Sequence, residues 1–273
     1  MTTETTDNPA ARGRSFDAWA DEYDRYRPTY PEALFAHIAR ELRLPRRPHV
    51  ADLGAGTGRA SIAMASIGWR IAAVEPGEPM LDVLRSRAVE DGLSVETVQA
   101  TAEATGLDSA AFDLATAAQA FHWFDKPAAL TEIARIVRPG GGVALFWNVR
   151  DEERSPFVAD YHRILERYGG VAEGRYLQAG RSSGRSETRE VLEAAEGFDE
   201  PHLHELHHEL PATAEGFIGM AFTASYVRAL EPEEQARFRA ETLDLLARHG
   251  HRGDEPFLVP YRIDLWIARR SVT

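Results

Sequence analysis

The residues best placed to do chemistry in this chain are three alternating glycines and a following acid. His49 to Gly58 reads His-Val-Ala-Asp-Leu-Gly-Ala-Gly-Thr-Gly, and the next apolar run ends in Glu75. A short strand that stops at Gly54, Gly56 and Gly58, with Ala55 between them, can bring backbone amides close to a ligand. An acid about 20 residues on has two carboxylate oxygens for two ribose hydroxyls, which a neutral residue would hold less well. Together they describe a site for a nucleoside cofactor; one glycine triplet alone would be an ordinary loop. Met80, just beyond Glu75-Pro76, could give a nucleobase a polarizable apolar face, or could be core. Ala118 and Gln119 end a later apolar run, at the edge where ligands lie in open α/β sheets. His122 follows, beside Trp123 and Phe124. Its imidazole could take a proton from an acceptor hydroxyl, hydrogen-bond an acidic acceptor, or pack against the cofactor wall. A dinucleotide grip needs G-x-G-x-x-G, and here Arg59-Ala60 follows Gly58, so the third glycine falls one residue early for a pyrophosphate.

The elements that must position these residues alternate between strand and helix. Strand-length apolar runs are Val50 to Leu53, Arg70 to Glu75, Ser94 to Gln99, Asp113 to Ala118 and Gly142 to Asn148. Helical periods fill Arg59 to Ile67, Pro79 to Glu90 and Pro127 to Val137, the last stopped by Arg138-Pro-Gly-Gly-Gly142. The pattern predicts a doubly wound α/β fold, a mostly parallel sheet covered by helices on both faces. Beyond Val149, Asp151 to Tyr168 reads as helix and Gly169 to Ser186 as a loop or lid. Two strand-like alternations, His202 to Leu210 and Val259 to Arg269, flank helical segments at Ala212 to Leu230 and Pro232 to His249.

Composition narrows the function. The chain has 273 residues, 44% of them hydrophobic, enough for one large α/β domain with an elaboration. A formal charge of −12 offers no field for collecting phosphates, which argues against a nucleic-acid partner. With no cysteine, disulfides, thiolate metal sites and thiolate nucleophiles are excluded. Met1 to Arg14 reads as a mobile polar tail without the apolar core of a signal peptide, no run is apolar enough for a membrane span, and a cytoplasmic location is the default expectation.

Several motifs in order resemble the class I S-adenosylmethionine-dependent methyltransferases: Asp52-Leu-Gly-Ala-Gly-Thr-Gly58, Glu75-Pro76 with Met80-Leu81, Ala102-Glu103, Phe112-Asp-Leu114, and Leu130 to Gly141. Phe16 to Pro31 and Gln119 to Asp125 are similar to the small-molecule branch that includes trans-aconitate methyltransferase. The resemblance implies a Rossmann-like, seven-stranded sheet whose last strand inserts antiparallel, with helical additions forming a lid. It implies S-adenosylmethionine as cofactor, held by Tyr23, Arg27, Asp52, Gly54, Ala55, Gly56, Gly58, Glu75, Pro76, Met80, Ala102, Glu103, Ala118 and Gln119. Asp52 matches an acidic position that helps hold the methionine amino group, with a fold-stabilising carboxylate as its alternative. Ala102 and Glu103 match a pair that places acceptors near the adenine amino group.

The expected organisation is a tail over residues 1–14, a helical lid segment over 15–48, a cofactor-binding core over 49–149, and a C-terminal part over 150–273 that completes the sheet and caps the substrate. Trp19, Tyr23, Tyr26 and Tyr30 recur at near-helical steps, as a lid over the sulfonium or as a helix packed on the domain. Tyr30, Trp123, Phe222 and Tyr226 are candidates to line the acceptor pocket, and His122 is the candidate catalytic residue. Arg181, Arg185 and Arg189 either bind an acidic acceptor or lie on the surface. His202, His204, His207 and His208 read as a solvated strand with no metal. Gln119, Asn148 and Asp151 do not make the acidic cluster of a magnesium-dependent catechol enzyme. The reading is O-methylation of a carboxylate or hydroxyl on a small molecule by a monomer or homodimer. Its alternatives are a non-catalytic cofactor-binding regulator, or a methyltransferase of protein or nucleic acid. The acidity and the lack of an Asp/Asn-Pro-Pro-aromatic tetrapeptide after the fourth strand disfavour the latter.

Overall fold

A computed structural model describes residues 29–168 and 182–272. Trp19, Tyr23, Tyr26, Arg27 and Arg181 lie outside the described residues, as does the side chain of Tyr226. Seven strands form one sheet: β1 (His49–Leu53), β2 (Arg70–Val74), β3 (Val95–Val98), β4 (Phe112–Ala118), β5 (Val137–Arg150), β6 (His202–Ala212) and β7 (Phe257–Arg269). Their order is β3-β2-β1-β4-β5-β7-β6. The first five run parallel, and β7 inserts antiparallel to both β5 and β6, as the resemblance implies. The order reverses between β1 and β4, so the carboxyl ends of those strands open a crevice where the glycine loop begins.

Helices α1 (Glu32–Leu42), α2 (Arg59–Ser66), α3 (Glu78–Glu90), α4 (Lys126–Ile136), α5 (Pro156–Arg167), α6 (Ser182–Ala194), α7 (Ala214–Phe222), α8 (Ser225–Arg228) and α9 (Pro232–Arg248) complete the fold. The alternation of β5 side chains sorts them onto two faces. Val143, Leu145 and Trp147 join a core with Leu130 and Ile133 of α4 and Leu192 of α6. Ala144 and Phe146 join another with Leu34, Phe35 and Ile38 of α1 and Met64 of α2. A third core lies apart, where α5, α7 and α9 gather Tyr161, Phe217, Phe238 and Leu245 against Val259 and Tyr261 of β7.

The described part of the 15–48 segment carries α1, which buries Leu34, Phe35, Ile38 and Leu42. Three expectations are corrected. Ala212 to Leu230 is two helices, Ala212 itself ending β6, because Thr213 accepts the Gly216 amide at 3.1 Å and starts a new turn. The helix expected from Asp151 starts at Pro156, where Ser155 accepts the Val158 amide at 3.3 Å. Ser182–Ser186, expected as loop, is the first turn of α6. Arg185 explains it: its guanidinium donates from Nε to Oδ2 of Asp264 at 2.9 Å and from Nη2 to Oδ1, and also pairs with Glu205. Arg185 is therefore tied to the sheet and does not await an acidic acceptor, and Arg189 pairs within its own helix with Glu193 at 2.6 Å.

Asp264 is fully buried in β7 and also accepts from Arg262 Nε at 2.8 Å. Removing Arg185 takes two charge-assisted hydrogen bonds from the buried carboxylate and leaves Arg262 beside it. Arg185→Ala should therefore cost about 2 kcal/mol of stability by denaturant unfolding. Replacing Arg189 by alanine should change it by less than about 0.5 kcal/mol, as at an ordinary surface site; equal effects would contradict the anchoring role.

Candidate functional site

β1 ends in a buried carboxylate. Asp52 is 1% exposed, and its Oδ2 accepts from Ser61 Oγ at 2.5 Å while Oδ1 accepts from Thr116 Oγ1 at 2.8 Å. Those bonds join β1 to α2 and β4. Burial away from water raises its pKa from 3.8 to about 6, against the pull of the two hydroxyls. No cation among the described residues offsets the charge. The fold-stabilising alternative therefore has direct geometric support.

The loop after β1 turns through left-handed backbone at Gly54 (φ +64°), Gly56 (φ +55°) and Gly58 (φ +82°). The three glycines do different work. A Cβ on Gly54 would stand 2.6 Å from the Ala120 Cβ and about 3 Å from the Phe124 ring; one on Gly58 would stand 2.4 Å from Leu84 Cγ. Those two are closed by protein packing, whereas a Cβ on Gly56 would meet nothing within 4 Å. Gly56 is thus the glycine of the three whose Cα has open space beside it.

Glu75, half-buried past the end of β2, faces this loop. Its Oε2 accepts the Gly56 amide at 3.0 Å and its Oε1 the Gly77 amide at 3.0 Å. The side chain is fixed by backbone donors on both oxygens. Met80 is buried on α3. Ala102 is buried in the core shared with α4. The Glu103 carboxylate accepts the Asp125 amide at 2.9 Å, the N-cap of α4. Glu132, which sequence reasoning missed, holds this loop from below: its Oε1 accepts the Thr105 amide at 2.9 Å and the Thr105 hydroxyl, and its oxygens pair with Arg135. Arg135 and Thr105 hold the Glu132 carboxyl down at about 2. Only a residue 27 positions from its partner reveals this role, which no local pattern could.

At the end of β4, Gln119 takes a left-handed backbone (φ +56°) rare for a side-chain-bearing residue. Its amide donates to Phe146 O at 2.9 Å and its Nε2 to Asn148 O at 3.1 Å. Ala118 stands half-buried beside it. His122 lies on a short 3₁₀ turn, Phe121–Trp123, with Trp123 against it at 4.8 Å. The Trp147 indole N–H, which can only donate, points at His122 Nδ1 at a long 3.5 Å. In the neutral ring Nδ1 is then the lone-pair nitrogen and it faces an indole, which is poor geometry for a general base. Tyr30 is buried edge-on to Phe146 at 4.9 Å. Phe222 is half-buried at the rim of the third core, against Phe238 at 5.8 Å.

The β6 histidines are not one solvated row. His204 meets His37 of α1 at 4.7 Å, His207 Nδ1 lies 2.9 Å from the buried Asp151 Oδ2, and His208 Nε2 lies 2.9 Å from Asn148 Oδ1. Asn148 and Asp151, which stood alone in the sequence, are thus each paired with a histidine. Among the described residues no cluster could hold a metal ion, and no helix is long and apolar enough to cross a membrane.

Buried carboxylates give the site a pH signature. Asp52 binds its proton more tightly folded than unfolded, so stability should fall as pH rises from about 4 to about 6, by about 3 kcal/mol at roughly 1.4 kcal/mol per unit. Glu132 has the opposite sign: its contribution is complete above about 4.5 and lost as pH falls toward about 2. In denaturant titrations across pH, Asp52→Asn should flatten the first slope and keep the second; an unchanged slope between pH 4 and 6 would refute the assignment.

Comparison with known proteins agrees with this arrangement. The family described as methyltransferase domain matches residues 51–146. A protein of Mycobacterium tuberculosis named as an uncharacterized methyltransferase is 32% identical over 240 residues, 86% of either chain. A solved chain from Anaeromyxobacter dehalogenans, designated a type II methyltransferase, superposes with a TM-score of 0.65 at 28% identity, over 89% of this chain and 98% of that one. A phosphoethanolamine N-methyltransferase of Haemonchus contortus, solved with phosphomonomethylethanolamine and S-adenosylhomocysteine, shares the fold at a TM-score of 0.57 and 14% identity, over 96% of this chain and 59% of that one.

Proposed function

Because the chain belongs to the class I S-adenosylmethionine-dependent methyltransferases, with S-adenosylmethionine as cofactor, we propose that it methylates an oxygen, carboxylate or hydroxyl, of a small molecule. What carries the cofactor assignment to particular residues is the pairing of Glu75 with Gly56. The residues present fit the group: Glu75 is locked with both oxygens at the lip of β2, and Gly56 leaves bare space beside it.

When bound, the cofactor supplies an electrophilic methyl on a sulfonium. Glu75 would hold the ribose hydroxyls, with Pro76 and Met80 bordering the base. Ala102 and Glu103 would border the adenine, on a loop that Glu132 keeps in place. Gly54, Ala55, Gly56 and Gly58 would border its methionine part, with Asp52 holding Ser61 of the helix that follows them. Ala118 and Gln119 would lie beside it. Transfer to a nucleophile requires in-line placement above all, and a carboxylate requires no base.

The net charge of −12 favours a small-molecule acceptor over a nucleic acid.

Two experiments test these statements. In calorimetry with S-adenosylhomocysteine, Glu75→Ala should weaken binding by about 2 kcal/mol, the worth of charge-assisted hydrogen bonds. Gly56→Ala should also weaken it while the protein still folds, and unchanged affinity in both variants would move the cofactor elsewhere. A screen with methyl-labelled cofactor against small carboxylic acids, phenols, alcohols and amines should give an O-methylated product; labelling of amines alone would overturn the oxygen assignment.

A further inference from the structure

We propose that His208 is the proton acceptor of this site, touching the acceptor hydroxyl through Nδ1, and that Asn148 positions it. The assignment rests on oxygen as the atom methylated.

The tautomer follows from hydrogen-bond chemistry. Asn148 Nδ2 donates to Thr29 O at 3.2 Å, so its Oδ1 is the atom that faces His208 Nε2 at 2.9 Å. An amide oxygen only accepts, so His208 Nε2 carries the hydrogen and Nδ1 carries the lone pair of the neutral ring. His122 has the reverse arrangement, its lone-pair nitrogen turned to the Trp147 indole. Of the two rings, His208 is the one built to receive a proton. Burial also lowers its pKa below the usual histidine value, which keeps it neutral near pH 7.

Its place is at the acceptor end of the sheet. Tyr261 of β7 pairs with Arg150 of β5 on one side and His208 of β6 on the other. Contacts run without a break from the cofactor loop: Gly54 packs on Ala120, Gln119 next to it donates to Asn148 O, and Asn148 holds His208. The ring lies 5.6 Å from that of Tyr261, whose hydroxyl donates to Met220 S at 3.2 Å, so the third core meets the imidazole here.

Among the described residues the surrounding charges are few. Arg150 is level with His208, but its guanidinium lies over the rings of Tyr161 (5.0 Å) and Phe217 (5.4 Å). The neighbouring His207 points to the other face of β6 with Asp151, and Glu209 shares that exposed face. In the step assigned, the acceptor oxygen forms a bond to the methyl carbon as the carbon–sulfur bond breaks, its electron pair staying on sulfur. The hydroxyl proton passes to Nδ1, and Asn148 Oδ1 steadies the imidazolium through Nε2–H.

Two measurements test this. Long-range proton–nitrogen NMR of the full chain, with labelled histidine, should find His208 neutral at pH 7 with its hydrogen on Nε2, and Asn148→Ala should release that tautomer. A hydrogen on Nδ1, or a charged ring, overturns the assignment without any acceptor. Turnover is then measured on catechol, 4-methylphenol and benzoate. His208→Gln should lower kcat on the phenols by about 100-fold, the lower range of general base catalysis. It should also remove the acid limb of their pH profile, with benzoate turnover and S-adenosylhomocysteine affinity unchanged. Asn148→Ala should shift that limb to lower pH, since it deprives the imidazolium of its acceptor. Phenol turnover by His208→Gln with the wild-type profile overturns the role of His208 alone. Wild-type activity on benzoate but on neither phenol removes it while oxygen methylation stands, and activity on none of the three removes both.

Discussion

The structure depends on a carboxylate sealed at the end of its first strand. Asp52 touches one hydroxyl on α2 and another on β4, so the strand that begins the sheet, the helix that leaves the glycine loop and the strand across the topological switch meet at one side chain. The same device recurs around the crevice. Glu75 fastens the amides of Gly56 and Gly77, Glu103 that of Asp125 and Glu132 that of Thr105. Part of the acidity of this chain is thus structural: carboxylates serve as clips for loop amides that no strand partner satisfies.

Beyond the crevice the molecule is divided by core. Two apolar layers sandwich the sheet, and the third sits over the ends of β6 and β7, built by α5, α7 and α9. The contact between this third core and the sheet is polar and aromatic, with Asn148, His208, Tyr261 and Arg150 along it.

Much of this was legible from residue order because the signals are local. β1 to β4 fall within a residue or two of the apolar runs, and the left-handed glycines stand where the triplet put them. The antiparallel entry of β7 came from resemblance to a family, since no spacing reveals sheet order. Distant partnerships were illegible. Ser182–Ala194 is a polar helix whose weak apolar period hid it until Arg185 was seen to reach Asp264, 79 positions on. Asn148 and Asp151 looked isolated because their histidines are 60 and 56 positions away. His122 drew notice as an imidazole among aromatic residues, yet sequence could not say which nitrogen faces an indole.

The placement of β7 has a consequence for how the chain reaches its native state. This strand comes after every other element in chain order yet lies between β5 and β6. As the polypeptide leaves the ribosome, both of those strands must wait with open backbone edges, among them the histidine-bearing face of β6. Such edges invite mispairing with other chains. The charged and imidazole side chains along β6 are well suited to discourage it during that interval, and assembly of the sheet is bound to finish with a single late insertion.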